Sequence, residues 1–270
     1  MTELYQADTG NCFDDHTLGK MLDRPIVGIA DANDPWFIRF KEELIGDFYW
    51  TPQEALELVD DKAQARSVIS WYIPISKVAR EANAKEKKIA ARPWAYIRTF
   101  GEKLNTRLRH GMEDRLRDMG FAALAPAVVP ECIEQDRLMG LSSCWSERHT
   151  AMVAGLGTFG ISGGLITEQG ITHRLGSVVT DAFIQPTVRP YGDDPFAWCL
   201  RTSHGKCGTC ILRCPASSIG ETVQERDKKA CQSYLDGISI QGKELYGWDG
   251  TYGCGLCQTA VPCEHRNPTA

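Results

Sequence analysis

Eight cysteines crowd the C-terminal part of this 270-residue chain, at positions 199, 207, 210, 214, 231, 254, 257 and 263. Thiols at this density are either cross-linked or bound to metal, and the choice follows the redox compartment. The N-terminus, MTELYQADTGNCFDDH, has neither the basic start nor the apolar stretch of an export signal. No run approaches the ~20 apolar residues of a membrane span. The expectation is a cytoplasmic protein without membrane association, in a reducing setting where grouped thiols act as metal ligands. Cys12, Cys132 and Cys144 are scattered through the first two thirds of the chain.

Spacing narrows the metal. Cys207-x2-Cys210-x3-Cys214-Pro215 reproduces the end of the two-cluster ferredoxin run, in which the last cysteine before proline ligates the other cluster. A tight x2 loop lets successive thiolates grip adjacent irons, and the longer step into proline sends the last sulfur elsewhere. Eight thiols are the number that two four-thiolate [4Fe-4S] clusters require. Cys199 stands eight positions before Cys207, with His204 where the simple pattern would place its first ligand. Cys199 is the better ligand, because four thiolates are the usual complement. Two structural zinc sites are the competing assignment, since C-x2-C pairs also bind zinc.

Upstream, Pro25 to Ala30 reads as a short buried strand, and Ser67 to Ile75 as a second one closed by Pro74. Thr51-Pro52-Gln53-Glu54 is a strong helix start, predicting a helix to about Ala65. Leu104, Leu108, Met112, Leu116 and Met119 recur at helical spacing before the stop at Gly120. Leu165–Thr167 and Arg174–Ile184 suggest a hairpin or neighbouring strands, and residues 1–25 a polar arm. The mixture predicts an α/β (α+β) body over 1–194 and a small cysteine-rich domain over 195–270. Between Lys77 and Arg117 lie twelve Lys/Arg and five Asp/Glu, in a chain of net charge -5. Such a stretch is either a solvated helical face or a basic wall towards an anionic group. The acidic overall balance argues against a general nucleic-acid binder.

The run Ser146-Glu147-Arg148-His149 through Gly155-Leu156-Gly157-Thr158-Phe159-Gly160, then Gly163 to Thr167 and Gly176-Ser177 to Asp181, resembles epoxyqueuosine reductases and reductive-dehalogenase-like iron–sulfur proteins. The similarity continues through Cys214-Pro215-Ala216 and Cys231-x2-Tyr234, over roughly residues 140–265. The resemblance implies a nitroreductase-like cofactor domain that holds a corrinoid (cobalamin), followed by a ferredoxin-like domain carrying two [4Fe-4S] clusters. Carried over by position, one cluster falls to Cys199, Cys207, Cys210 and Cys263, the other to Cys214, Cys231, Cys254 and Cys257. Gly155, Gly157, Gly160, Gly176 and Ser177 would border the cofactor, although the glycines also suit a tight turn between packed elements. Members of this family carry an acidic proton donor just before the Glu-Arg pair. Here Leu141-Ser142-Ser143-Cys144-Trp145-Ser146 has no carboxylate, so the match is to a divergent branch.

His149 is a candidate proton carrier near neutral pH, and Tyr96, close to Arg98, a candidate donor like the tyrosine of reductive dehalogenases. Each has a plainer alternative as a packed side chain. Cys144 reads either as a cobalt ligand or as a small buried apolar residue. The expected function is an oxygen-sensitive oxidoreductase passing electrons through two clusters to a buried cofactor or small-molecule substrate. Its electron donor would be of ferredoxin or flavodoxin type, and the resemblance leaves tRNA open as a partner. The rival is an electron carrier or reductive activator of a separate corrinoid protein, without turnover of its own.

Overall fold

The computed structural model describes residues 1–132, 134–137 and 140–270, with side chains of 133–141 excluded. Among the described residues the helices are α1 (Thr2–Ala7), α2 (Pro35–Arg39), α3 (Pro52–Glu57), α4 (Lys77–Ala84), α5 (Arg92–Tyr96), α6 (Glu102–Asp118), α7 (Glu147–Val153), α8 (Leu200–His204), α9 (Thr209–Arg213) and α10 (Lys228–Tyr246). The strands are β1 (Ile26–Asp31), β2 (Ser67–Pro74), β3 (Ala123–Leu124), β4 (Glu134–Arg137), β5 (Gly140–Ser143), β6 (Gly157–Phe159), β7 (Leu165–Thr167) and β8 (His173–Thr180).

The body is built on an antiparallel sheet in the order β1-β2-β8-β3, with Ile69 opposite Ile29 on one side and Val178 on the other. Antiparallel pairing makes this an α+β body. Every residue of β2 is buried, because helices cover both faces of the sheet and the strand's alternating side chains enter two cores. Val68 and Tyr72 pack with Phe37, Leu56, Met152 and Val153, drawn from α2, α3 and α7. Ile69, Trp71 and Ile73 pack with Trp94 of α5 and the Leu104, Leu108, Met112 and Leu116 stripe of α6. Met119 is exposed beyond that stripe, where Gly120 at φ +87° turns the chain away.

Three expectations change. The first 25 residues are a packed segment: Tyr5, Phe13, Met21 and Leu22 enter the second core. Ion pairs Asp8–Arg107, Asp14–Arg92 and Glu3–Arg115 tie them down. Much of the basic stretch is thus spent on the molecule's own acidic residues. The α3 capping box forms as expected, but the helix ends at Glu57. Asp60 accepts from Lys62 N (2.9 Å) and Gln53 binds the backbone of Ala63 and Ala65, so side chains offer the backbone a turn instead. Finally, β7 pairs with β6 and β8 enters the main sheet, so the two do not form a hairpin.

The cysteine-rich tail is sewn onto this body. Asn83, wholly buried on α4, donates to Cys254 O (3.3 Å) and Thr259 Oγ1 (3.1 Å) and accepts from Ala91 N (3.0 Å). Arg80 pairs with Glu264 at 3.1 Å, and Ile171 N donates to Cys263 O at 2.8 Å. Among the described residues no helix is long and apolar enough to cross a membrane.

Candidate redox site

The eight C-terminal thiols separate into two quartets. Cys199, Cys207, Cys210 and Cys263 line one small cavity, walled by Ile161, Ile166, Ile171 and Val261. Cys214, Cys231, Cys254 and Cys257 belong to the wall of another, much larger one. Local structure brings each set together. Cys207 has φ +86°, a left-handed conformation that turns the chain before α9 presents Cys210. Asp227 accepts from Ala230 N at 2.9 Å, capping α10 so that Cys231 stands in its first turn. Gly255, also left-handed at φ +62°, reverses the chain between Cys254 and Cys257.

Burial dominates the thiols' chemistry. It pushes Cys210 up to about 11, helped by Cys199 and Cys207, and Cys263 up to about 12, helped by Cys210 and Cys199. In the other quartet burial raises Cys257 to about 12, with Cys254 and Cys214 adding to it. Each of these three thiols therefore feels members of its own quartet. Backbone and hydroxyl donors reach the sulfurs: Ser218 N lies 3.4 Å and Ser218 Oγ 3.2 Å from Cys214 Sγ. Among the described residues no three Cys, His, Asp or Glu side chains converge closely enough for a single metal ion; the sulfurs surround spaces. His204 contacts Ser203 at the surface and lies outside the first quartet's cavity.

The larger cavity, about 800 Å³, runs between the tail and the sheet. Opposite its cysteines stand Glu102, Arg109, Glu147, His173 and Arg174. Arg109, almost wholly buried, links Glu102 (2.8 Å) and Glu147 (3.1 Å), and Arg174 pairs with Glu102. Burial acts to raise Glu102, but Arg174 and Arg109 outweigh it and hold the carboxyl down to about 2. Burial also acts on Glu147, and there it prevails: the pKa is raised despite Arg109 and a 2.5 Å hydrogen bond from Ser177 Oγ. His173 bonds Leu165 O through Nε2 at 2.8 Å, while its buried Nδ1 has no partner among the described residues. Burial lowers its pKa to about 4, so the ring is neutral.

Positive charge gathers around the second quartet. Arg148 and Arg226 both line the cavity, and no carboxylate among the described residues pairs with either. Partial burial, then the neighbouring Arg226 and Arg148, lower the pKa of Lys228.

The other residues singled out in the sequence lie elsewhere. His149 sits in the core between Phe40 and Phe159, at ring distances of 4.7 and 4.8 Å, and bonds Ser146 Oγ at 2.6 Å. Burial lowers it to about 3. Tyr96 stacks on Phe100 and meets Trp248 edge-on. Gly155, Gly157 and Gly176 are off the walls of both cavities, whereas Gly160 lines the smaller one beside the first quartet. At Gly157 the space a side chain would fill holds the Ile166 carbonyl, and at Gly176 the Trp71 ring. Ser177 acts on the cavity through Glu147. Cys144 is joined to Cys132 in a disulfide, so its side chain is neither a free ligand nor a plain apolar filler. Glu102, Glu147, Arg109 and His173 escaped sequence reasoning. The Glu-Arg pair beginning at Glu147, inside the family-like run, was the available signal.

This arrangement, an antiparallel α+β body closed by a module with two thiol quartets, defines a fold class already known from solved structures. It is that of epoxyqueuosine reductase. One crystal structure of a selenomethionine-labelled epoxyqueuosine reductase matches 88% of this chain and 61% of its own, with TM-score 0.52 and 18% identity. The Bacillus subtilis enzyme matches with TM-score 0.53 at 18% identity, over 90% of this chain and 62% of its own. A third, in complex with an epoxyqueuosine-modified tRNA stem loop, gives 0.54 and 19%, over 92% and 62%. The chain thus spans about three fifths of the length of these structures. No family model and no curated protein matches it.

Proposed function

We propose that the chain is an iron–sulfur oxidoreductase in which the quartet of Cys199, Cys207, Cys210 and Cys263 and that of Cys214, Cys231, Cys254 and Cys257 each hold a [4Fe-4S] cluster. The observation that carries this reading is the shared wall: four thiols of one quartet and the Glu102–Arg109–Glu147 network border the same cavity. The donor set fits. Thiols that surround a space suit a cubane better than a single zinc, whose four ligands must meet at about 2.3 Å from one point. Arg148 and Arg226, which no carboxylate pairs with among the described residues, suit the net negative charge of a thiolate-bound cluster. Ile161, Ile166, Ile171 and Val261 keep the outer quartet dry, which with hydrogen bonds to sulfur tunes potential.

Cobalamin is the proposed occupant of the remaining cavity. Trp145, Leu165 and Leu175 offer apolar surface there, the arginines and glutamates a polar rim, and the orphaned His173 Nδ1 an acceptor. When bound, the clusters supply one-electron relays and a corrinoid supplies a metal centre that accepts the electrons. The chain's own residues bind, exclude water and manage protons. Glu147, whose pKa burial raises and which Arg109 and Ser177 orient, is the group best suited to pass a proton to a reacting centre. It takes the place of the acid missing from the Leu141–Ser146 segment. A large cavity with its own proton donor favours turnover over the role of a passive carrier. The donor would be a ferredoxin or flavodoxin, and the substrate a small molecule or, as in the complex structure of the relative, an RNA.

Anaerobic reconstitution followed by iron and sulfide analysis tests the clusters, with about eight of each expected per chain for two cubanes. Two zincs without sulfide would reject them. Cobalamin titration followed by visible spectrum then distinguishes enzyme from carrier: stoichiometric uptake supports the former, none the latter.

A further inference from the structure

Cys132 and Cys144 belong to neither quartet. Their Cα atoms are 5.4 Å apart and their sulfurs are bonded. Cys132 lies on the wall of the large cavity with Ser143 and Trp145, the residues that flank Cys144; Cys214, Cys231, Cys254 and Cys257 lie on that wall too. Between the two cysteines β4 pairs antiparallel with β5, and β5 lies against α10, the helix that carries Cys231. Cys144 is fixed on the core side, where it is buried and its carbonyl accepts from Trp50 N at 2.8 Å. Cys132 is held from the loop side, its N–H bonded to Val129 O at 3.0 Å. A chain whose other thiols must stay reduced to bind iron is a poor setting for a structural cross-link. Disulfides found in such settings are transient, catalytic or redox-sensing.

We propose that the Cys132–Cys144 disulfide is a redox-active acceptor, reduced by electrons reaching the cavity through the quartet of Cys214, Cys231, Cys254 and Cys257. The proposal rests on the cluster assignment above. Two electrons, supplied one at a time by an external ferredoxin- or flavodoxin-type donor, break the S–S bond. Two protons are taken up to give two thiols, and the donor is oxidised by the same two electrons. The cavity thereby has an acceptor of its own besides its occupant, and reduction removes the covalent tie between Cys132 and Cys144 that flanks β4 and β5.

The test uses the reconstituted full chain, oxidised anaerobically with stoichiometric diamide, desalted and titrated with photoreduced deazaflavin while cluster absorbance is followed. Samples are quenched with N-ethylmaleimide and mapped by mass spectrometry. Wild type should take up two more electrons per chain than Cys132→Ser or Cys144→Ala before bleaching is complete, as a disulfide couple requires. The linked Cys132–Cys144 peptides should become doubly alkylated, and Cys231→Ser should slow that conversion severalfold. Equal electron uptake in wild type and both variants overturns the proposal. So does a linked pair that persists with bleached clusters, a pair diamide does not join, or an unchanged rate in Cys231→Ser. Iron analysis reads the parent assignment separately, since a chain without iron fails there before any thiol is counted.

Discussion

His149 and Glu102 are both held in the form that binds fewer protons than it would in the unfolded chain, and this sets the acid sensitivity of the fold. His149 is lowered from the usual 6.5 to about 3 by burial and by Arg148 and Lys228. A depressed pKa gives stability that is present above the unfolded value and lost as pH falls towards the folded one. The window for His149 is therefore pH 6.5 down to 3. His149→Leu should flatten it: at pH 5 unfolding takes up about one proton fewer, so the dependence of stability on pH weakens by about 1.4 kcal/mol per unit. Urea melts between pH 6 and 4 measure this, and an unchanged slope would show that the ring titrates normally. Glu102, held at about 2 between Arg174 and Arg109, acts lower, from 4.5 down to 2. Glu102→Gln should cost about 3 kcal/mol at pH 7, because it takes the carboxylate from Arg174 and leaves the buried Arg109 with Glu147 alone. The gap from wild type should close as pH falls through that window. These residues were hard to read from sequence for one reason. Arg109 reaches Glu147 across 38 positions and Arg174 reaches Glu102 across 72, and local spacing says nothing about such pairs.

At the scale of elements, what was legible followed local chemistry. The Thr51–Glu54 capping box, the continuous apolar run of β2 and the α6 stripe each announce themselves within a few residues. The partner of a strand is a different matter: β7 and β8 are adjacent in sequence, yet β8 pairs with β2, and only the completed sheet decides that. The same contrast governs two glycines of α10. Gly237 has open space where a Cβ would stand, whereas at Gly242 that space is filled by the Tyr252 ring. Gly237→Ala should stabilise the chain by about 0.5–1 kcal/mol through helix propensity. Gly242→Ala should reverse the sign, destabilising by about 1–3 kcal/mol through overpacking. It also pushes on the segment that leads into Cys254. Paired denaturant melts test this; a stabilised Gly242→Ala variant would mean that Tyr252 does not pack on α10.

For the molecule as a whole, the division of the cysteines into two sets was visible in their order, but the way the tail joins the body was not. A boundary near Pro195 suggests two units in series. The contacts run otherwise: Asn83, Arg80 and Ile171 bind the tail's backbone or side chains directly, Arg213 of the tail donates to Glu86 O of the body, and the large cavity exists only where tail and sheet meet. Ligand binding to the native state adds stability to everything that unfolds with it. Loading the quartets with iron should therefore raise the melting of the sheet body along with that of the tail, in one calorimetric transition. Asn83→Ala should weaken that coupling, because it leaves Ala91 N–H and Thr259 Oγ1 short of a buried partner, at a cost of about 1–3 kcal/mol. Its iron should also leave to a chelator faster than in wild type, starting from the quartet that contains Cys254. Two separate transitions in the wild-type holoprotein, with only the smaller responding to iron, would show that the seam carries no energy.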